Sequence, residues 1–395
     1  MMNILVIGNG FDIAHDLPTT YTDFLEFANR IVITKTWIGG IDKLKAKRMN
    51  DFKAKPYVIK YIEDAFKSRE YKSDENTTNK NPLVQEMYDL LEDNVWYDYL
   101  QNIYTNAYMR GNNWIDFESE ISYVIEVIDR RQENLYTKLD ISTAYNDSKV
   151  DLFLKLLNFD KYKIQKRTTN IGLTFRDLLD KSYEDLRRLI RCLEIYLSEC
   201  VEKADVKIKS PDIVDRTIDA IIDFNYTHTF NKVYPEKNVT KIHYIHGETG
   251  LTQNNMVLGI DEYRTDEEKD SNTNYNIYKK FTQRIINDTG FMYRDWIAKI
   301  DKEYKQVKSN SSEMPLWASK LYVFGHSLDV TDKDVLGEII TEDGVYTIIF
   351  YHDKQQQAQQ IANLVKMIGQ NKFIEMINEV PQRIRFKPQE KMIDI

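Results

Sequence analysis

Met2-Asn3-Ile4-Leu5-Val6-Ile7-Gly8-Asn9-Gly10-Phe11-Asp12 is the stretch on which the fold turns. Its apolar run from Ile4 to Ile7, rich in β-branched residues and stopped by glycine, predicts a buried strand. After a break at Pro18, Thr20 and Asp23 have the spacing of a capping box. Tyr21, Phe24, Leu25 and Ala28 then recur at i, i+3, i+4 and i+7, as on one face of a helix. The chain opens as strand, glycine loop, helix.

The same alternation returns far downstream. Segments at Ile218 to Phe224, Lys241 to His246, Met256 to Ile260, Lys320 to Phe324 and Tyr346 to Tyr351 each predict a strand. The last two are followed by helical patterns, Val335, Leu336, Ile339, Ile340 and then Ile361, Leu364, Val365, Ile368, with Gly369 as the stop. Strands alternating with helices predict an α/β fold with a mostly parallel, Rossmann-like sheet covered on both faces. Between the two β/α parts the periodicity is helical, as in Phe117, Ile121, Val124, Ile125, Ile128 and in Leu178, Leu179, Leu186, Leu189, Ile190. The polar, charged stretch Ser68 to Asn81 is expected to be a loop, and another polar stretch lies around Asp129 to Asp151. The expected division is an α/β domain from 1–38 and 215–395, carrying a helical insertion domain at 39–214.

Composition narrows the function. With 395 residues, 42% of them hydrophobic, the chain buries a real core, and global disorder is excluded. Fifty-four Lys and Arg against 62 Asp and Glu leave a formal charge of −8, which argues against bulk nucleic-acid binding and leaves only a local basic groove open. Two cysteines, Cys192 and Cys200, cannot build a disulfide framework. The opening residues lack the pattern of a secretory leader, and no apolar run approaches the roughly 18 residues of a membrane span. A cytoplasmic protein in a reducing compartment, without a membrane segment, is expected.

In open α/β sheets, ligands bind beyond the carboxyl ends of the strands, so four segments stand out. Gly8-Asn9-Gly10-Phe11-Asp12 admits close approach of a phosphate, yet Ile13 stands where the third glycine of G-x-G-x-x-G belongs, and a tight turn is an equal reading. Phe224-Asn225-Tyr226-Thr227 offers an Asn suited to a ribose hydroxyl or a water, or an ordinary turn. In His243-Tyr244-Ile245-His246-Gly247 the two histidines lie three apart on a strand and face opposite sides, so they do not share a metal ion. His246, at the strand end, is the better placed for chemistry. Gly325-His326-Ser327-Leu328-Asp329-Val330-Thr331-Asp332 serves a phosphate or starts a helix through a Thr331–Asp334 capping box. It is not a G-x-S-x-G nucleophile elbow, because Asp329 replaces the second glycine.

Taken in order, these motifs resemble the phage abortive-infection AbiH family. GNGFD with His15 and Pro18, Trp114-Ile-Asp-Phe-Glu118, FNYT, IHG and GHSLDxTD carry the resemblance. The set is also similar, remotely, to sirtuin-like NAD-binding domains, in which G-A-G-x-S, T-x-N-x-D, H-G and G-T-S-L occur in the same order. The resemblance implies NAD as ligand or substrate, with Gly8, Asn9, Gly10, Phe11, Thr227, Gly247, Gly325, His326 and Ser327 contacting it. His246 is implied as base, Asn225 as the residue ordering ribose or water, and Asp12 as a charge near the ribose. Asp12 stands in place of the serine, Thr227 in place of the aspartate and His326 in place of the threonine. The two cysteines leave no four-cysteine zinc module, so no zinc is expected, and NAD cleavage or NAD sensing displaces protein deacylation.

The expected function is therefore antiphage defence in which a small nucleotide is bound and the nicotinamide–ribose bond of NAD is cleaved. A non-catalytic nucleotide sensor is the alternative that Thr227 favours. A metal-dependent nuclease-like toxin using Asp12, Asp116, Glu118 or Asp332 is the third, although Asp116 and Glu118 also suit a helix N-terminus. A phage-derived trigger of unknown identity is implied, and a homo-oligomer stays open.

Overall fold

The strand expected at the start of the chain forms at Met2–Ile7 (β1) and is joined in one sheet by Ala220–Asp223 (β2), Ile242–Tyr244 (β3), Ser319–Phe324 (β4), Val345–Tyr351 (β5) and Ile384–Pro388 (β6). The computed structural model describes residues 2–37, 41, 55–70, 81–109, 115–137, 147–157, 175–262, 273–310 and 319–395. Every neighbouring pair in the sheet is parallel, and the spatial order is β3-β2-β1-β4-β5-β6. This is the doubly wound Rossmann order, and it reverses direction between β1 and β4.

Helix α1 (Asn9–Ala14) follows β1. Then come α2 (Tyr21–Thr34), α3 (Lys55–Glu70), α4 (Pro82–Leu91), α5 (Val95–Met109), α6 (Phe117–Thr137), α7 (Ser148–Leu156) and α8 (Phe175–Tyr196), the last running into a π-helical turn at Leu197–Val201. Helices α9 (Pro211–Val214) and α10 (Thr229–Val233) flank β2, and α11 (Lys280–Ile286) and α12 (Met292–Asn310) precede β4. Helix α13 (Lys333–Thr341) links β4 to β5, while α14 (Lys354–Ile368) and α15 (Gln370–Asn378) link β5 to β6.

The chain divides into two compact units, one of Met1–Thr19, Ala204–Met256 and Arg284–Ile395, the other of Thr20–Lys203 and Val257–Gln283. The first holds the sheet. Alternation along its strands sends Ile4, Val6, Ile222, Leu321 and Val323 into a core with α12, α13 and α14, while Leu5, Ile7, Ile221, Tyr322 and Phe324 pack with Phe11, Phe230 and Tyr234 on the other face. Both faces are covered, as a parallel sheet requires, and each fully buried aliphatic side chain contributes about 1.5–3 kcal/mol.

The second unit is helical. It opens at the expected capping box, where the Thr20 hydroxyl accepts from the Asp23 amide at 3.2 Å and the Asp23 carboxylate accepts from the Thr20 amide at 3.1 Å. Buried Asp185 ties α5 to α8, accepting from the Val95 amide at 3.1 Å and from Lys181 and Arg188 at 2.7 and 2.8 Å.

Several expectations change. Met256 to Ile260 forms no strand beyond one parallel bridge from Ile260 to Lys279. The Gln283 side chain supplies what a neighbouring strand would, accepting from the Leu258 amide at 3.1 Å and donating to its carbonyl at 3.2 Å. The polar stretches are partly helical, since Ser68 to Glu70 end α3, Asp129 to Thr137 end α6 and Asp147 caps α7. Residues 71–80 and 138–146 lie outside the described residues, as does Trp114. Strand β6 and a short antiparallel pair, Ile208–Lys209 with Ile393–Asp394, were not expected. Among the described residues no helix is long and apolar enough to cross a membrane.

Candidate functional site

Strand register brings the four motifs together. Ile7 lies opposite Asp223 and Phe324, and Asp223 lies opposite Tyr244, so β1, β2, β3 and β4 end on one row. The residues that leave this row are Gly8, Phe224, Ile245 and Gly325. All four loops therefore emerge at the carboxyl edge of adjacent strands, astride the point where strand order reverses.

The glycines there serve protein backbone. Gly325 has φ +70°, and a Cβ on it would lie 2.1 Å from the Phe11 nitrogen. A Cβ on Gly10 would lie 2.8 Å from the Gly325 oxygen. That contact is closed by the Gly10 amide donating to the Gly325 carbonyl at 2.8 Å, while Gly8 donates to Phe324 at 3.3 Å and Phe11 to Gly8 at 2.8 Å. The sequence expectation of a glycine loop before the helix is thus corrected: Gly8 is the N-cap, and Asn9, Gly10 and Phe11 are the first turn of α1. Phe11 is fully buried, packed against His15, Phe230, Tyr234 and Phe324. Asn9 and Ser327 are exposed, and Gly247 is buried in a turn at φ +79°.

The polar candidates form two groups. In the first, the Thr227 hydroxyl donates to buried Asp12 at 2.6 Å, and the Thr229 hydroxyl donates to that of Thr227 at 3.1 Å. Asn225 joins the adjacent loops, its side-chain amide donating to the Gly8 carbonyl at 3.1 Å and its backbone amide to Asp223 at 2.8 Å.

In the second group, Asp332 stands between two histidines. His246 Nε2 lies 3.2 Å from one carboxylate oxygen of Asp332, and His326 Nε2 lies 3.4 Å from the other. The Phe224 ring packs edge-on against both imidazoles. His326 Nδ1 accepts from the Leu328 amide at 2.9 Å, with Leu328 in the left-handed region at φ +57°. Gln360 and Asn363 on α14 hold this loop by donating to the His326 and Ser327 carbonyls at 3.1 and 3.0 Å.

The expected Thr331–Asp334 capping box is replaced. A 3-10 turn, Val330–Asp332, intervenes; Asp329 caps it by accepting from the Thr331 amide at 3.1 Å, and Asp334 pairs with Arg284. That turn carries Asp332 to the histidines. Sequence reasoning placed Asp332 only among carboxylates for a metal ion and missed this role, although it closes the same segment as His326.

The remaining candidates have structural partners. His243 Nδ1 accepts from the Tyr293 amide at 3.3 Å and its Nε2 meets the Thr289 carbonyl at 3.0 Å; burial lowers its pKa. His15 bonds the Phe11 carbonyl at 2.7 Å and the Tyr234 hydroxyl at 3.0 Å, and burial lowers its pKa to about 4. Asp116 caps α6 by accepting from the Glu118 amide at 3.0 Å, and Glu118 pairs with buried Lys280 at 2.8 Å. Cys192 and Cys200 are buried free thiols, and burial raises both pKa values. Among the described residues no group of three or more His, Cys, Asp or Glu side chains gathers as a ligand set for a metal ion.

A family model described as bacteriophage abortive infection AbiH matches residues 4–352. No curated protein and no solved structure matches the chain. The family match runs from β1 through the end of β5 and takes in all four loops of the strand-end row, which identifies the chain as a member of the bacteriophage abortive infection AbiH family, with a role in abortive-infection defence against phage.

Proposed function

We propose that the protein defends against phage by binding NAD at the carboxyl edge of β1–β4 and hydrolysing its nicotinamide–ribose bond. The observation that carries this reading is the buried His246–Asp332 pair at the strand-order reversal of a Rossmann sheet, the place where such sheets bind nucleotides. In the reaction the C–N bond to nicotinamide breaks, a bond from water oxygen to ribose forms, and His246 takes the water proton. Asn225, fixed on Gly8, orders the ribose or the water.

The residues fit NAD unevenly. A diphosphate does not fit between the glycines, because the Gly8, Gly10 and Phe11 amides already donate to protein carbonyls. Asn9 and Ser327 are exposed at this edge, the Asn9 side-chain oxygen accepting from the Thr19 hydroxyl. Purified protein should release nicotinamide from NAD, and His246→Ala and Asn225→Ala should abolish release while the fold melts normally. Unchanged NAD with infected-cell extract, together with no NAD-dependent shift in Tm, would sink the proposal.

One observation favours a second reading, nucleotide sensing without turnover. Thr227, a hydroxyl rather than an acid, is engaged with the protein, donating to one oxygen of the Asp12 carboxylate at 2.6 Å. An NAD-dependent rise in Tm with no nicotinamide released, with or without infected-cell extract, would select it.

A further inference from the structure

We infer that Arg284 binds the diphosphate of the nucleotide at the carboxyl edge, exchanging its Asp334 partner for phosphate oxygens. The inference rests on the nucleotide reading proposed above and names the residue that meets the ligand's negative charge.

The glycine segment leaves that charge without a partner. The Gly8, Gly10 and Phe11 amides donate to protein carbonyls, so the N–H cradle that commonly holds a phosphate before a helix is closed. A cation is needed in its place. Within the unit that holds the sheet, the buried cations among the described residues are Arg284 and Arg383. Arg383 immediately precedes β6 and so lies at the amino edge, where it donates to the Thr341 and Glu342 carbonyls at 3.1 and 2.6 Å. Arg284, in the last turn of α11, lies at the other edge. The Thr289 amide donates to the Arg284 carbonyl at 3.1 Å, and the Thr289 hydroxyl donates at 3.2 Å to the carbonyl of Ile245, the residue that leaves β3. From there the guanidinium reaches Asp334, in the first turn of α13 and two residues beyond Asp332. The link thus runs from the exit of β3 to the helix that follows β4, and β2 and β1 lie between those two strands.

The chemistry of the pair suits an exchangeable anion. A guanidinium carries five N–H donors in a planar fork that matches two oxygens of a phosphate. The Arg284 side chain is 5% exposed, yet its one hydrogen bond among the described residues runs from a terminal nitrogen to Asp334, and its Nε is buried without a partner. A buried cation with so few partners is costly, and a doubly bonded phosphate relieves that cost. Asp334 is 46% exposed, so its carboxylate can turn to water as the phosphate arrives.

The test is calorimetry and thermal unfolding of the intact protein with inorganic pyrophosphate and with ADP-ribose, at constant ionic strength. Both anions should bind wild type and raise its Tm. Arg284→Gln should bind each about 10–100-fold more weakly, and Arg284→Lys should keep part of the affinity because it retains the charge without the fork. Asp334→Asn removes the competing carboxylate and should bind pyrophosphate more tightly than wild type, although its ligand-free Tm falls; a purely structural ion pair would lose stability with no gain in binding. Absence of binding by wild type, equal affinity in wild type and folded Arg284→Gln, or Asp334→Asn that binds no more tightly than wild type would overturn the inference. If both anions bind through Arg284 and no NAD is consumed, the cleavage reading fails and the anion site stands.

Discussion

Thr227 donates its hydroxyl to the buried carboxylate of Asp12 at 2.6 Å. Asp12 lies in α1, just after β1, and Thr227 in the loop after β2, so the bond ties two loops of the strand-end row. Thr227→Val keeps the shape and removes the donor, and should cost about 1.5–3 kcal/mol, as expected for a hydrogen bond to a charged group. Denaturant unfolding measures it; a change below about 0.5 kcal/mol would show that the bond does not hold the loops.

The contact of Gly325 with Phe11 makes a second prediction. Gly325→Ala drives a methyl group to 2.1 Å from the Phe11 nitrogen at φ +70° and should prevent normal folding or lower Tm severely. Gly250 has φ +79° with nothing within 4 Å of an added Cβ, so Gly250→Ala should cost only the roughly 1–2 kcal/mol of the left-handed backbone. Equal losses at the two positions would contradict the backbone contact.

His15 predicts an acid-side loss of stability. Its pKa falls from 6.5 to about 4 on folding because burial disfavours the charged ring. Above pH 6.5 the residue is neutral in both states and adds no pH dependence. Between pH 6.5 and about 4 the unfolded chain takes up a proton that the folded chain does not, so stability falls as pH is lowered, by up to roughly 3 kcal/mol. Unfolding measured across this window should show the slope in wild type and a shallower one in His15→Gln. Equal slopes would contradict the assignment.

Asp116 and Glu118 separate structure from chemistry. Asp116→Ala should cost about 1 kcal/mol through the lost α6 cap, and Glu118→Gln about 3–5 kcal/mol by breaking a pair with a buried lysine. Phage protection should survive Asp116→Ala at temperatures where the variant stays folded. Loss of protection by folded Asp116→Ala would favour the nuclease-like reading.

What the sequence revealed follows from how local each signal is. Strand β1, the Thr20–Asp23 cap and the α13 and α14 patterns depend on neighbours within a few residues, and they were legible. Strand β6 was not, because Ile384-Arg-Phe-Lys-Pro388 is a partly exposed sheet edge without the apolar run of a central strand. The glycines were legible as sites of close approach. A glycine that admits a ligand and one that admits another backbone look the same in sequence, and only register shows Gly10 against Gly325. His246 and Asp332 likewise meet only after β3 and β4 have been set on either side of β2 and β1.

The most direct test of the central claim is cellular NAD and nicotinamide, measured before and after phage infection in cells carrying wild type or His246→Ala at equal expression. The account predicts that NAD falls and nicotinamide rises only after infection and only with wild type, and that the variant no longer protects. Protection by wild type with NAD unchanged, or NAD loss that persists in His246→Ala, would contradict it.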